Sequence, residues 1–218
     1  MRTPSQTAAL AGVPAGVQAV GPWTGRRQLF IRFAAEAETA TLYTADALAE
    51  ELKRLTARSA FHSVAVGGRD PLGGADFLAA LLERWTSPLP VMLDTDGQRP
   101  EALERVLPKL ALVQVSLDPA AGDAVVERAL QTLLLASRGG VEQALVLLPG
   151  EGVSDGQLLR IVEQTHAVSR GAAVVVHPVV PTGASGPERR WATLLEQASG
   201  LHADVRLLLR LAPPLGMR

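Results

Sequence analysis

His62-Ser63-Val64-Ala65-Val66-Gly67-Gly68-Arg69-Asp70-Pro71-Leu72-Gly73-Gly74-Ala75-Asp76-Phe77-Leu78-Ala79-Ala80-Leu81-Leu82-Glu83-Arg84-Trp85 is the stretch on which the fold turns. His62–Val66 is short and apolar, as a strand buried in a sheet must be. Two glycines, an arginine, an aspartate and a proline follow, the composition of a tight turn. From Ala75 the residues Phe77, Leu78, Leu81, Leu82 and Trp85 recur at helical spacing and predict a helix over 75–85. Strand, polar turn and helix form the unit of a parallel sheet, because a parallel partner strand needs a long crossover and a helix supplies it.

The same unit recurs on both sides. Upstream, Gln28–Phe33 reads as a strand, Ala34–Thr41 as a polar connection, and Thr44 as the N-cap of a helix over 45–55 carrying Ala47, Leu48, Leu52 and Leu55 on one face. Downstream, Pro90–Leu93 is a strand ending in Asp94-Thr95-Asp96-Gly97, with a helix over Pro100–Val106. Leu110–Leu117 is a strand ending at Asp118, with a helix over Ala120–Ser137. Gln143–Leu148 precedes a helix over Ser154–Ser169 that Ser154 can cap, Ala172–Val180 precedes a helix over Glu188–Ala198, and Val205–Leu211 is the last strand. Met1–Gly16 has no sustained period and reads as a flexible lead-in, which leaves 17–218 as a single α/β domain. A doubly wound open sheet and a partial barrel with parallel strands both satisfy this order, and in both, ligands bind at the carboxyl ends of the strands.

Composition narrows the functions. The chain has 218 residues, 21 basic and 22 acidic, and a net charge of −1, which gives no electrostatic reason to expect nucleic acid as a partner. No run approaches the roughly 20 apolar residues of a membrane span, and the N-terminus does not resemble a signal peptide, so a cytoplasmic location without membrane contact is the expectation. Cysteine is absent. That excludes disulfides, thiolate zinc, a cysteine nucleophile and any cysteine-ligated iron–sulfur cluster.

The strand ends supply the candidate chemistry. Gly67, Gly68 and Asp70, then Thr95, Asp96 and Gly97, are candidate ligand-binding residues: glycines let backbone amides approach a ligand, and a following helix N-terminus favours an anion. Neither cluster is a Walker loop or a complete dinucleotide fingerprint, and tight turns require glycine and aspartate for conformational reasons alone. Asp94, Asp96 and Asp118 could bring carboxylates to one rim as Mg²⁺ ligands, although helix capping is the commoner role of such residues. His62, His166, His177 and His202 show no two-histidine metal spacing in the sequence. His177, at the end of Val174-Val175-Val176, is the histidine expected at the cavity, and His177 and Asp118 are the candidates for an acid or base.

Read in order, these loops resemble the radical S-adenosylmethionine superfamily, in particular the small branch containing 7-carboxy-7-deazaguanine synthase and related activating enzymes. The resemblance runs through Gly21-Pro22-Trp23-Thr24-Gly25 to Phe33, then Val66–Leu72 against a Thr-Gly-Gly-Glu-Pro-Leu turn, Leu93–Gly97 against Glu-Thr-Asn-Gly, the strand Gln114–Asp118, and the closing segment Val205–Arg218. It implies a partial (β/α)6-type barrel, often dimeric. It also exposes what is changed. At the positions matching the family's three cluster cysteines stand Glu36, Ala40 and Tyr43, a carboxylate, a methyl and a phenol where an iron–sulfur cubane requires thiolates. Asp70 stands for the glutamate that receives the methionine amino group, Arg69 for a glycine, Ala19-Val20 for a substrate-side Gly-Glu, and Leu209-Arg210-Leu211-Ala212-Pro213 for a polar closing motif. No cofactor is therefore expected, with Gly67, Gly68, Asp70, Thr95, Asp96 and Gly97 as vestiges of a binding site. The resulting expectation is a non-catalytic relative that acts by binding, as a homodimer or in a heteromer with an active enzyme. The alternatives are a nucleotide, nucleoside or purine-like ligand at the strand ends, and an unrelated α/β enzyme with a Mg²⁺ rim.

Overall fold

The computed structural model of the chain describes residues 7–180 and 187–211. Its strands are β1 (Thr7–Gly12), β2 (Ala15–Val17), β3 (Arg27–Phe33), β4 (Thr41–Thr44), β5 (Ser63–Gly68), β6 (Val91–Thr95), β7 (Leu112–Leu117), β8 (Glu142–Leu147), β9 (Ala173–Val176), β10 (Val179–Val180), β11 (Val205–Leu207) and β12 (Arg210–Leu211). The helices are α1 (Ala45–Arg58), α2 (Ala75–Arg84), α3 (Pro100–Leu103), α4 (Asp123–Arg138), α5 (Asp155–Val168) and α6 (Pro187–Ser199). The Thr44 and Ser154 hydroxyls cap α1 and α5 as the sequence implies, each accepting the amide three residues on, from Ala47 and Gln157.

The main sheet has the order β11-β9-β8-β7-β6-β5-β3-β1-β4, parallel from β3 to β11 and antiparallel through β1 and β4, with β2 also antiparallel on β3. A separate small parallel pair joins β10 and β12. The fold is thus mixed α/β around a mostly parallel sheet that is open, ending at β11 and β4. The doubly wound alternative is overturned. That topology reverses strand order at a switch point, whereas here β3, β5, β6, β7, β8, β9 and β11 follow in chain order. Successive right-handed crossovers in one direction place the helices on one face.

Burial follows that asymmetry. Val64, Val66, Leu93, Val113, Val115, Leu145, Leu147, Val174 and Val176 pack with Leu48, Leu52, Leu78, Leu81, Leu133, Leu158 and Leu194 in one core. Residues of the opposite parity form a second face, where Met92, Leu112, Ala144 and Ala173 pack under Trp23. The strands look uniformly apolar in sequence because both faces are buried, one by helices and the other, at Met92, Leu112, Ala144 and Ala173, beneath Trp23.

Two expectations are corrected. Thr7–Gly12 and Ala15–Gly16, read as part of a flexible lead-in, belong to β1 and β2, with Ala8 and Leu10 buried and the β1 backbone paired to both β3 and β4. The helix expected over 100–106 stops at Leu103 and gives way to turns and a 3-10 segment at Leu107–Lys109. Pro108 has no N–H to offer the Glu104 carbonyl and its ring crowds that carbonyl, so an α-helix does not run on through this turn. Among the described residues no helix is long and apolar enough to cross a membrane.

Candidate functional site

The turn after β5 is built tightly against β3. Gly68 has φ +95°, and a Cβ placed there would stand 2.3 Å from the Phe33 carbonyl oxygen. That same carbonyl accepts the Arg69 amide at 3.0 Å. The next residue, Asp70, is left-handed at φ +44° and accepts the Gly73 amide, fixing the Pro71–Gly74 turn. Arg99 grips the same carboxylate, its Nε 2.8 and 2.9 Å from the two oxygens and its Nη2 2.7 Å from Oδ2. The Asp70 carboxylate is thus committed to an arginine and a backbone amide.

The loop after β6 is likewise structural in two of its three candidates. Thr95 is buried, and its hydroxyl accepts the Gly97 amide at 3.2 Å. Gly97, at φ +75°, lies so close to α4 that a Cβ would approach Ala129 Cα to 2.8 Å, and its carbonyl accepts the Thr132 hydroxyl at 2.8 Å. Asp96 is exposed and caps the Gln98 amide. Gly68, Asp70 and Asp96 do come together, with Arg69, Gln98, Arg99, Glu101 and Arg128, around an open polar cavity of about 630 Å³ at the rim. Thr95 and Gly97 do not line it, and Gly67 lies beside Asp94 on the other face of the sheet.

That face carries a polar cluster the motif reading missed. The Ser116 hydroxyl donates to Asp94 at 2.8 Å. Burial pushes the Asp94 carboxyl above its ordinary value, partly offset by the hydrogen bond from the Ser116 hydroxyl. Gln114 is fully buried, and neither its Nε2 nor its Oε1 has a protein partner. Gln28 donates to Ser63 at 2.8 Å while its Oε1 has no partner. Backbone at Gly21 presses directly on the Gln114 side chain, and Trp23 stands edge-on to His62, 5.1 Å between ring centroids. The sequence signal was available in strand parity: Gln28, Ser63, Asp94, Gln114 and Ser116 all occupy the phase opposite to the Val and Leu that meet the helices.

The remaining candidates disperse. Asp118 caps the Ala120 amide in an exposed turn, Asp96 caps Gln98, and Asp94 turns to Ser116, so the three carboxylates have separate partners. Among the described residues no three His, Cys, Asp or Glu side chains are grouped to hold a metal, and the Mg²⁺ rim is not assembled. His177 is buried, with Nδ1 donating to the Leu208 carbonyl at 2.6 Å. A carbonyl only accepts, so that nitrogen carries the proton.

Glu36 and Ala40 are exposed in the loop between β3 and β4, and Tyr43 lies on β4 opposite Ala8, half-buried against the core. The loop is closed by Arg32–Glu38 at 3.0 Å and by the Glu38 carboxylate on the Ala35 amide. No sulfur donor stands at any of these positions, so they do not fit an iron–sulfur cubane. Of the closing segment, Ala212 and Pro213 lie outside the described residues.

The chain is similar along almost its whole length to a 7-carboxy-7-deazaguanine synthase of Methanothermobacter thermautotrophicus, 28% identical over 252 aligned positions that cover 97% of this chain and 98% of that protein. No protein-family model matches the chain.

Proposed function

We propose that the chain is a cluster-free relative of the radical S-adenosylmethionine enzymes, a partial (β/α)6-type barrel that acts by binding, as a homodimer or with an active enzyme, in the cytoplasm. One observation carries this reading. A chain similar to a 7-carboxy-7-deazaguanine synthase from end to end has no cysteine, and holds Glu36, Ala40 and Tyr43 where the thiolates of such an enzyme are expected. Without thiolates there is no cubane to pass an electron to S-adenosylmethionine, and radical initiation has no starting point. The Asp70–Arg99 pair adds to this by occupying the carboxylate that a methionine amino group would need.

The test is anaerobic reconstitution with iron and sulfide. The expected result is no absorption near 400 nm and no reductive cleavage of S-adenosylmethionine; stoichiometric cluster incorporation would end the proposal. Light scattering on the same material reads self-association. A second reading, a nucleoside or nucleotide at the rim, is favoured by the open cavity of about 630 Å³ that carries Arg69 and Arg128, a size suited to such a molecule. Saturable heats in calorimetry with nucleotides, abolished by Arg128→Ala, would support it. Flat titrations at millimolar ligand would remove it.

A further inference from the structure

His166 and His202 lie 36 residues apart, and no spacing rule connects them. The fold does. His166 is in the last turn of α5, His202 follows α6, and their Nδ1 atoms face each other at 3.4 Å with the rings at 83°. That separation is long for a good hydrogen bond. It matches another geometry: two nitrogens about 2.05 Å from a tetrahedral ion stand about 3.35 Å apart.

The second nitrogen of His202 points the same way. Its Nε2 is 2.6 Å from the Ala172 carbonyl, which can only accept, so Nε2 carries the ring proton and Nδ1 presents a bare lone pair. A ring nitrogen held by a backbone carbonyl is the arrangement that orients metal-bound histidines and fixes their tautomer. His202 is buried and therefore rigidly placed, whereas His166 is half-buried and leaves one side of the pair open to water.

We propose that His166 and His202 form a binding site for a borderline divalent transition-metal ion such as Zn²⁺, Ni²⁺ or Cu²⁺, through their Nδ1 atoms. Imidazole selects these ions over Mg²⁺ and Ca²⁺. Binding takes the His166 tautomer that carries its ring proton on Nε2 and leaves Nδ1 free to ligate. No third histidine or carboxylate joins the pair among the described residues, so water completes the shell and the ion remains exchangeable. The ion ties the end of α5 to the connection between α6 and β11, at the opposite end of the sheet from the βα loops. The inference stands independently of the cluster-free reading above.

The test uses the untagged full chain. Calorimetry with zinc chloride is expected to give one site per chain, weakened at least about tenfold in His166→Gln and unchanged in His62→Gln. With copper sulfate, electron paramagnetic resonance is expected to show coupling to two imidazole nitrogens, reduced in His166→Gln. Should His166→Gln fail to fold, histidine side-chain NMR of the wild-type protein decides: zinc is expected to shift the ring signals of His166 and His202 and no others. Absence of saturable binding below millimolar zinc, binding equal to wild type in folded His166→Gln, or shifts confined to His62 or His177 would each overturn the proposal.

Discussion

Adjacent glycines in the turn after β5 are expected to respond in opposite ways to the same substitution. At Gly68, alanine must adopt φ +95° and put its Cβ 2.3 Å from the Phe33 oxygen and 2.7 Å from the Phe33 nitrogen. Both neighbours are backbone atoms of a paired strand, so no rotamer change relieves the contact. The left-handed backbone costs about 1–2 kcal/mol and the overlap about 1–3 kcal/mol, together roughly 2–5 kcal/mol. For a chain of this size each kcal/mol lowers the midpoint by about 2–4 °C, so Gly68→Ala is expected to melt roughly 5–20 °C below wild type. Gly67→Ala meets Asp94 Cβ at 3.5 Å and the Asp94 carbonyl oxygen at 3.7 Å, both ordinary contacts, and trades the flexibility of glycine for about 0.5–1 kcal/mol of stability. Its midpoint is expected to equal or slightly exceed wild type. Thermal denaturation by circular dichroism, without any ligand, distinguishes the two. A Gly68→Ala midpoint within about 2 °C of wild type would refute the claim that this glycine is there for close approach of β3 rather than of a ligand.

Asp94 makes stability depend on pH with a definite sign. Because burial raises its folded value above 3.8, the folded protein holds this proton more tightly than the unfolded chain. The resulting penalty is absent below the ordinary value, grows as pH rises through the interval between the unfolded and folded values, and is complete above the latter. Asp94→Asn keeps an oxygen for the Ser116 hydroxyl, so its denaturation midpoint is expected above wild type at neutral pH, with the gap closing in acid. Trp23→Ala, which uncovers Met92, Leu112, Ala144 and Ala173, is expected to cost about 3 kcal/mol in urea titrations. Thr44→Ala removes the cap of α1 and is expected to cost about 1 kcal/mol by the same measurement.

The alternation of strands and helices was legible because it rests on local periodicity, and the caps at Thr44 and Ser154 because capping is local chemistry. The missing elements fail for a different reason. β1 and β2 are made of Ala, Gly, Thr, Val and a single Leu, residues without a strong pattern, and they are strands because β3 and β4 offer partners. Strand order, which separates a doubly wound sheet from one wound in a single direction, is a property of crossover direction and leaves no mark on any one segment.

At the site, the motifs single out residues that also have contacts within the fold. Gly68, Thr95 and Gly97 sit where a ligand-binding motif would place them, yet each has a contact inside the fold that accounts for it: the Phe33 carbonyl, the Gly97 amide and α4. A motif records residue type and spacing, and both are satisfied equally by a turn that packs and a turn that binds. Polar groups without a partner discriminate better. Gln114 and Gln28 are buried with unmatched polar atoms, an arrangement that costs stability. Val or Leu at the same phase would pack without that cost. Substituting Gln114→Leu removes both unmatched atoms and is expected to raise the denaturation midpoint; a fall of several degrees would refute that reading and point to the packing of Gly21 against the amide.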